Sequence, residues 1–439
     1  MKTEFSLIIL LLFIVSGCVT QTPSIDTTTL GVSPPTTSPQ TSTPTKTSTV
    51  AEAAVPLTTE LPVIEISPRG TLDPSAEFPI ITEIHMTSET SGWAFALSGD
   101  NVLVLHTSDG GSSWQDVTPP IEGWSAYISQ HWYHVPRLGE GFFLDDRRAW
   151  ISTLIVDQGD QSAFAAEVML STDDGGATWR MRKLPEGKGA GYGSFVGFTN
   201  PLHGWFVVYN YAGAGGAYTG LYGTVDGGES WEAILDVLGT TSQVSGDLAF
   251  GDTTTGVMTF RRSSIVIQPY IRWTQDGGTT WGECQDLPEP EDPSASDQSI
   301  SYFECGTAFP HAFSKLEVAL LVECRMLRDA GSIYNKYIYS NLLYLTEDGG
   351  LSWQSFPAPS GRLYLLSPSV GWMLGEEIHM TEDGGHSWAK INEVTWQGQF
   401  SFVDAHHGWA VASNEVEIAL VKTENGGRSW MIVEPRLVP

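Results

Sequence analysis

The sequence has little positive charge for its length. Its 439 residues contain 22 lysines and arginines against 51 aspartates and glutamates, which gives a formal net charge of −29. This balance argues against nucleic acid and against direct adhesion to anionic lipid headgroups, because both repel an acidic surface. It is compatible with a solvated secreted surface, with a basic protein partner or with divalent cations. The densest acidic run spans residues 289–292.

Cysteines are also scarce. There are four, without a Cys-x-x-Cys pair, and the sequence has neither a zinc-ligand spacing of cysteines with histidines nor an EF-hand spacing. Zinc binding and thiol redox chemistry are therefore not expected, and we predict no metal and no cofactor. If the chain turns near Ser314, Cys305 and Cys324 face each other across two strands and can form a disulfide. A bridge between Cys284 and Cys305 is the competing pairing.

Long apolar runs are missing as well. Residues 7–15 form an apolar run that is short for a bilayer span, and Val15-Ser-Gly-Cys18 follows it. This segment resembles the bacterial lipobox, which implies a lipoprotein signal peptide at 1–17 and acylation of Cys18. An uncleaved signal anchor and an ordinary signal peptide are the alternatives. The resemblance predicts an extracytoplasmic protein that contacts a bacterial membrane, on its cell-surface or periplasmic side, only through the lipid anchor.

Threonine, proline and serine dominate the segment that follows Cys18. Such a composition buries too little apolar surface to offset the entropy of ordering, so residues 18–75 are predicted to be a lipidated cysteine followed by a disordered tether. The tether would hold residues 76–439 away from the lipid surface.

One short motif recurs seven times after the tether. It reads Thr-x-Asp-Gly-Gly-x-Ser/Thr-Trp, except that the last copy has Asn for Asp. The acidic residue can accept hydrogen bonds from a tight turn, the glycines allow positive φ, and the Trp offers a large apolar face. We therefore assign a structural role and no catalytic role to its residues: Asp109, Trp114, Asp174, Trp179, Asp226, Trp231, Asp276, Trp281, Asp348, Trp353, Asp383, Trp388, Asn425 and Trp430.

A second repeat lies upstream of most copies. It is a Gly-Trp or related pair that opens an apolar run: Gly92-Trp93, Ala149-Trp150, Gly204-Trp205, Gly256-Val257, Gly371-Trp372 and Gly408-Trp409. Each repeat therefore contains four strands, and blade five is degenerate. Seven units of this length predict an all-β fold, a seven-bladed β-propeller of four-stranded antiparallel blades at 76–439. A strand within residues 61–67 is a candidate for closing the ring.

The first motif resembles the Asp-box, or bacterial neuraminidase repeat, which lies between the third and fourth strands of propeller blades. Together with the Gly-Trp strands, as in Gly408-Trp409, it makes the chain similar to the photosystem II assembly and stability factor family. That resemblance implies a non-catalytic scaffold that binds or helps to assemble other proteins at a membrane.

Sialidases share the box, but their arginine triad and early Arg-Ile-Pro-like motif have no counterpart in the first repeat, which lacks arginine. A sialidase-like glycoside hydrolase or a carbohydrate-binding propeller is therefore the alternative, and a glycan ligand stays possible on this sequence. Five arginines could reach the face that carries long loops: Arg137, Arg261, Arg262, Arg328 and Arg362.

The two faces of such a ring should differ. In a four-stranded antiparallel blade the first turn shares a face with the box, and these connections are short, whereas nearly every insertion falls on the other face. Binding sites concentrate in variable loops on rigid scaffolds, so we predict that the ligand face lies opposite the boxes. Its candidate residues are Trp124, Trp132, Tyr133, Arg137, Tyr209, Tyr211, Tyr218, Tyr334 and Tyr337.

Overall fold

A computed structural model describes residues 64–66, 78–99, 101–120, 141–155, 166–183, 194–211, 217–235, 247–260, 270–288, 300–307, 310–328, 336–414 and 417–439. These residues form strands and turns, and no helix occurs among them. They belong to one compact unit, Val63–Pro439. The predicted signal peptide, Cys18 and most of the tether lie outside the described residues.

Seven antiparallel sheets follow one another along the chain and form the seven blades of a β-propeller, which confirms the predicted fold class. Blade 1 contains β2 (Ile80–Met86), β3 (Gly92–Ser98), β4 (Asn101–Thr107) and β5 (Ser113–Asp116). Blade 2 contains β6 (Gly141–Phe143), β7 (Ala149–Ile155), β8 (Ala166–Thr172) and β9 (Trp179–Lys183). Blade 3 contains β10 (Ser194–Phe198), β11 (Gly204–Tyr211), β12 (Ala217–Thr224) and β13 (Glu232–Leu235).

The remaining blades repeat this order. Blade 4 contains β14 (Leu248–Phe250), β15 (Gly256–Phe260), β16 (Tyr270–Thr274) and β17 (Gln285–Asp286). Blade 5 contains β18 (Ile300–Thr307), β19 (His311–Ala312), β20 (Val318–Arg328), β21 (Lys336–Thr346) and β22 (Gln354–Ala358). Blade 6 contains β23 (Arg362–Leu365), β24 (Gly371–Leu374), β25 (Glu377–Thr381) and β26 (Ala389–Glu393). Blade 7 contains β27 (Gln397–Phe402), β28 (Gly408–Ser413), β29 (Ile418–Thr423) and β30 (Met431–Val433).

Two further strands, one from each end of the described chain, extend neighbouring blades. The C-terminal β31 (Arg436–Val438) pairs in parallel with β5 of blade 1. The N-terminal β1 (Ile64–Ile66) pairs antiparallel with β9 of blade 2. The expectation that residues 61–67 close the ring is therefore wrong: the strand exists, but blade 7 already has four strands of its own. Strand β1 lies within the segment that was predicted to be the tether.

Burial explains the composition of the strands. The second strands are covered by neighbouring blades on both faces and are almost entirely buried, as in β3 and β28. They therefore read as continuous apolar runs instead of alternating ones. The fourth strands lie at the rim and are largely exposed, as in β26 and β30. The first strands contact one another around the centre, including β2 with β27 and β6 with β10.

The Trp of the Gly-Trp repeat fastens five of the seven blades to the next. In four blades the indole Nε1 donates to the carbonyl oxygen of the first glycine of the following box: Trp150 to Gly227, Trp205 to Gly277, Trp372 to Gly426 and Trp409 to Gly110, at 2.7–3.1 Å. In blade 1, Trp93 donates instead to Asp145 O in the first turn of blade 2, at 2.9 Å. The repeat is therefore a clamp between blades.

Glycine precedes this Trp because the last side chain of the first strand covers it: Met86 covers Gly92, Leu365 covers Gly371, and an aromatic ring covers Gly204 and Gly408. A Cβ on Gly204 would lie 2.5 Å from Cε1 of Phe198, and one on Gly408 would lie 2.4 Å from Cδ1 of Phe402. Those rings stack in turn on the Trp of the preceding blade, with centroids 3.8 Å apart for Trp150 and Phe198. A phenylalanine is thus held between a glycine of its own blade and a Trp of its neighbour.

Blade 5 departs from this scheme. Ala319 takes the place of the Trp beside Val318, and in blade 4 the equivalent residue is Val257. Trp273 on the third strand of blade 4 covers Gly350 of the next box instead. A disulfide joins Cys305 and Cys324, which face each other in β18 and β20. The structure therefore has the first of the two pairings considered, and the bridge from Cys284 to Cys305 is excluded.

Candidate functional site

In the six boxes that have an aspartate, both carboxylate oxygens are hydrogen-bonded within the turn. In the first copy, Asp109 Oδ1 accepts from Thr107 Oγ1 and from the backbone N–H of Ser113, and Oδ2 accepts from Ser113 Oγ at 2.6 Å. The Gly111 N–H donates to Thr107 Oγ1. The same bonds recur at Asp174, Asp226, Asp276, Asp348 and Asp383.

These bonds favour the ionised carboxylate. The hydroxyl and backbone of Ser387 lower the pKa of Asp383 to about 2, and those of Thr280 lower the pKa of Asp276. Burial opposes the shift at Asp109, but the bonds from Ser113 and Thr107 outweigh it and the pKa of Asp109 is lowered. Both oxygens of such a carboxylate are hydrogen-bonded within the turn, and its lowered pKa keeps it ionised, which does not suit general acid catalysis.

The divergent copy keeps the turn. Asn425 Oδ1 accepts from Thr423 Oγ1 and from the Ser429 N–H, while Asn425 Nδ2 donates to Ser429 Oγ at 2.8 Å. The amide therefore makes the same contacts as the carboxylate, except that the bond to the hydroxyl is reversed: Asn425 donates to Ser429, whereas Asp109 accepts from Ser113. Gly426 and Gly427 have φ of 71° and 94°, as the corresponding glycines of the other boxes do.

Boxes and first turns lie on the same face. In each blade the first box glycine donates its N–H to a carbonyl of the turn between strands one and two, for example Gly110 to Thr90, Gly227 to Leu202 and Gly426 to His406. The connections between strands two and three, and those between blades, are therefore on the opposite face. We call these the box face and the loop face. The loop-face connections within and between blades 6, 7 and 1 are short, whereas residues 117–140 join blade 1 to blade 2 and the other insertions belong to blades 2–5.

The predicted ligand-face residues divide into two groups. Trp124, Trp132, Tyr133, Arg137 and Tyr334 lie outside the described residues. Tyr209 and Tyr211 lie in β11, Tyr218 in β12 and Tyr337 in β21. The expectation that these four belong to loops is wrong, because tyrosine and its β-branched neighbours extend the two hairpins outward from the blades.

The hairpin of blade 5 extends further than we predicted. Strands β20 and β21 are 11 residues each, whereas the strands of the other blades have at most 8. Tyr339 in β21 is 68% exposed. We call residues 300–304, 325–328 and 336–340 the blade 5 arm. The signal that could have revealed it is the strand-like composition on both sides of residues 329–335.

Polar side chains occupy equivalent positions on several first strands near the centre. Gln399 of blade 7 bonds both the N–H and the carbonyl of Ile84 in blade 1, at 2.8 and 2.9 Å. Tyr364 Oη bonds the N–H and the carbonyl of Phe402 in the same manner. The first turn of each blade has one equivalent backbone hydrogen bond, which aligns the first strands with one another. In this alignment the positions of Gln399 and Tyr364 are taken on other first strands, and on their own, by Glu83, His85, His311, Arg362 and Ser401. We call these seven residues the central polar arc.

The titratable groups of this arc have different neighbours. Glu83 Oε2 lies 3.5 Å from His85 Nε2. Burial, and secondarily the positive charge of Arg362, lowers the pKa of His311 to about 4, so this imidazole is neutral at pH 7. Among the described residues at these positions, Arg362 is the only arginine. The converging arginine trio that a sialidase needs is thus not present in the described part of the centre.

One cluster on the box face has side chains that metals also use. Glu89, Asp404 and His407 lie within 4.8 Å of one another between blades 1 and 7. Asp404 already accepts from the N–H groups of His406 and His407 and from His407 Nδ1 at 2.8 Å. The cluster therefore stabilises the first turn of blade 7 and joins the first blade to the last.

The described residues contain no helix long and apolar enough to cross a bilayer. No known protein family matches the sequence, and no curated protein does. Solved structures with a similar chain trace include polysaccharide lyase Uly1, with 9% identity, 86% of this chain and 94% of that chain covered, and a TM-score of 0.47.

A polysaccharide lyase of family PL25, an ulvan lyase, has 9% identity, covers 66% of this chain and 81% of its own, and has a TM-score of 0.45. The α-L-arabinanase of Penicillium chrysogenum has 11% identity, covers 66% and 94%, and has a TM-score of 0.40. The structural neighbours thus include carbohydrate-active enzymes. At these identities and scores, function has to be argued from this chain's own residues.

Proposed function

We propose that this chain is a non-catalytic binding propeller, tethered to a bacterial membrane through Cys18, whose loop face binds a protein partner. The observation that carries the proposal is the structural difference between the two faces. On the box face the carboxylates accept hydrogen bonds within their own turns, whereas on the loop face blades 2–5 carry insertions and long hairpins. Rigid scaffolds with variable connections on one face are typical binding proteins.

Site-directed photo-crosslinking in intact cells tests which face binds. The full chain carries a photoreactive amino acid either at Tyr339 on the loop face or at Leu351 on the box face; both side chains are exposed, at 68% and 87%. Position 339 should yield a reproducible crosslinked protein, and position 351 should not. Crosslinks from position 351 alone would reverse the assignment of the faces.

Lipid attachment is tested separately. Metabolic labelling with an alkyne-bearing fatty acid should mark the wild-type chain, and Cys18→Ser should abolish the label and release the protein from membranes. A Cys18→Ser chain that stays labelled would exclude the proposed anchor.

A carbohydrate ligand is the second candidate, and the central polar arc favours it. The first strands of blades 1 and 6 carry Glu83, His85 and Arg362, which supply hydrogen-bond donors and acceptors of the kind that sugar hydroxyls use. A glycan array with the full chain and with Arg362→Ala tests this, and Arg428→Ala on the box face is the matched control. Reproducible glycan binding lost only in Arg362→Ala, with no protein crosslink from Tyr339, would favour this candidate over the first.

A further inference from the structure

The seventh box contains a dipeptide that occurs once in the sequence. Of the eight asparagines in the chain, Asn425 is the one that a glycine, Gly426, follows. An asparagine in this position can lose its amide spontaneously, because the backbone nitrogen of the next residue can attack the side-chain carbonyl carbon. A glycine leaves that nitrogen accessible, since it has no Cβ. Asn425 is exposed, so hydroxide and water can reach it.

The turn itself requires the glycine. Gly426 has a φ of 71°, and a Cβ at this position would collide with the carbonyl oxygen of Ala405 in the first turn of blade 7. Residues with side chains adopt such a backbone conformation infrequently. An asparagine in place of the box aspartate therefore creates an Asn-Gly pair that a change of the glycine cannot remove.

The six aspartate boxes have the same glycine but a less reactive side chain. A carboxylate resists attack by a nucleophile because it is already negatively charged. The turn keeps it in this form, as Ser387 does by lowering the pKa of Asp383 to about 2. The amide of Asn425 is neutral and can be attacked. The seventh box thus differs from the others in its chemistry, although it makes nearly the same contacts.

The reaction needs only hydroxide and water, and it involves no oxidation or reduction. Hydroxide removes the proton of the Gly426 N–H, the nitrogen forms a bond to Cγ of Asn425, and the bond from Cγ to Nδ2 breaks with release of ammonia. Water then opens the cyclic imide. Cleavage of the new bond to Cγ gives aspartate. Cleavage of the original peptide bond gives isoaspartate, whose main chain runs through Cβ and Cγ.

The folded turn hinders the first step. The Gly426 N–H donates to the carbonyl oxygen of His406 at 2.7 Å, so the nitrogen is not available for attack. Ser429 holds the side-chain amide of Asn425 through both its oxygen and its nitrogen, at 2.9 and 2.8 Å. The Gly426 carbonyl accepts from Trp372 Nε1 of blade 6 at 2.9 Å. The attack therefore requires a local opening of the turn in which these bonds break.

We propose that Asn425 is a deamidation site and that opening of the seventh box sets the rate of its conversion. The aspartate product completes a seventh box of the common type. The isoaspartate product lengthens the main chain of the turn by one atom, which displaces Gly426 from the indole of Trp372. The modification therefore acts on the joint between blades 6 and 7, whichever face of the ring binds a partner.

Mass spectrometry of the digested full chain, after incubation in heavy-oxygen water at mildly alkaline pH, tests the proposal. The peptide that contains Asn425 should exchange its amide nitrogen for one heavy oxygen. The peptide that contains Asn414, which is also exposed but precedes a glutamate, is the internal control and should stay unchanged. Conversion at Asn425 should be roughly tenfold or more faster in urea, where the turn is open, than in the folded chain. Equal conversion at Asn414, equal rates in the folded and the unfolded chain, or no conversion in urea would overturn the proposal.

Two tryptophan variants test the control by the turn. Trp372→Phe removes the bond to Gly426 and should accelerate the conversion in the folded chain roughly tenfold, the effect of one lost hydrogen bond on the opening. Trp150→Phe removes the same bond to Gly227 in a distant joint and should leave the rate at Asn425 unchanged. Equal acceleration by both variants would mean that general loosening of the ring, and not opening of this box, sets the rate.

Ser429→Ala tests the same control without touching a joint. It removes the hydroxyl to which Asn425 Nδ2 donates, at an exposed position, and should accelerate the conversion although Trp372 keeps its bond. This variant decides the question if Trp372→Phe does not fold. A wild-type rate in Ser429→Ala would contradict control of the reaction by the turn.

Discussion

Trp409 in the last blade donates its indole N–H to the carbonyl oxygen of Gly110 in the first blade, at 2.9 Å. The two residues are 299 positions apart in sequence, and the contact closes the ring. It is the same bond that joins blades 2 to 3, 3 to 4 and 6 to 7. Ring closure therefore uses the ordinary contact between blades, supplemented by β31 and by Gln399.

Replacing Trp409 with Phe should remove this bond and keep most of the packing. The buried Gly110 carbonyl would lose its partner, so we expect a loss of about 1–3 kcal/mol in the free energy of unfolding. Urea unfolding of the full chain measures it. Trp396→Phe is the control, because Trp396 packs on Phe400 and Trp430 within blade 7. If both variants lose the same free energy, the bond is not what stabilises the closure.

The repeats predicted the number of blades and the order of strands because each box marks one turn and each Gly-Trp pair marks one buried strand. They could not predict which blade the terminal strands join. An isolated segment such as Ile64–Ile66 fits any open rim, and its choice of β9 depends on contacts that local sequence does not encode. The length of β20 and β21 was not predicted either, because the sequence around residues 329–335 was interpreted as one long loop.

Gly204→Ala should be destabilising although alanine is small. Its Cβ would lie 2.5 Å from the ring of Phe198, and that ring cannot move away because it stacks on Trp150 at 3.8 Å. Overpacking of this kind typically costs about 1–3 kcal/mol. Gly375→Ala is the matched control, since the nearest atom to its added Cβ is 3.6 Å away. A loss at Gly375 as large as that at Gly204 would mean that backbone freedom, and not the ring, is responsible.

The box carboxylates should make stability depend on pH in acid. The pKa of Asp383 is about 2 in the folded protein, compared with roughly 3.9 for an unfolded aspartate. The pKa of Asp383 is lower in the folded than in the unfolded protein. The ionised carboxylate therefore contributes fully to the free energy of unfolding above the unfolded pKa, and this contribution is lost as pH falls from about 4 to about 2. Asp383→Asn should reduce this dependence, as the network of Asn425 shows that an amide fits the turn.

The reciprocal variant Asn425→Asp provides the control, since it should add the same acid dependence to the last box. Unfolding by urea at a series of pH values between 5 and 2 measures both. Parallel curves for wild type and Asp383→Asn across this range would contradict the assignment.

Removing the disulfide should loosen blade 5 and leave the other blades intact. The Cys305–Cys324 bond closes a short segment, with a sequence separation of 19, and bridges of this size contribute roughly 3 kcal/mol. Blade 5 is also flanked by the two contacts that have Val257 and Ala319 in place of the clamping Trp. We therefore expect the double variant Cys305→Ser, Cys324→Ser to accelerate hydrogen exchange at residues 325–328 and 336–340, with the amides of blade 7 as the internal control. Uniform acceleration in both blades would show that the bond stabilises the whole ring, and no change would show that the arm is held by its hydrogen bonds alone.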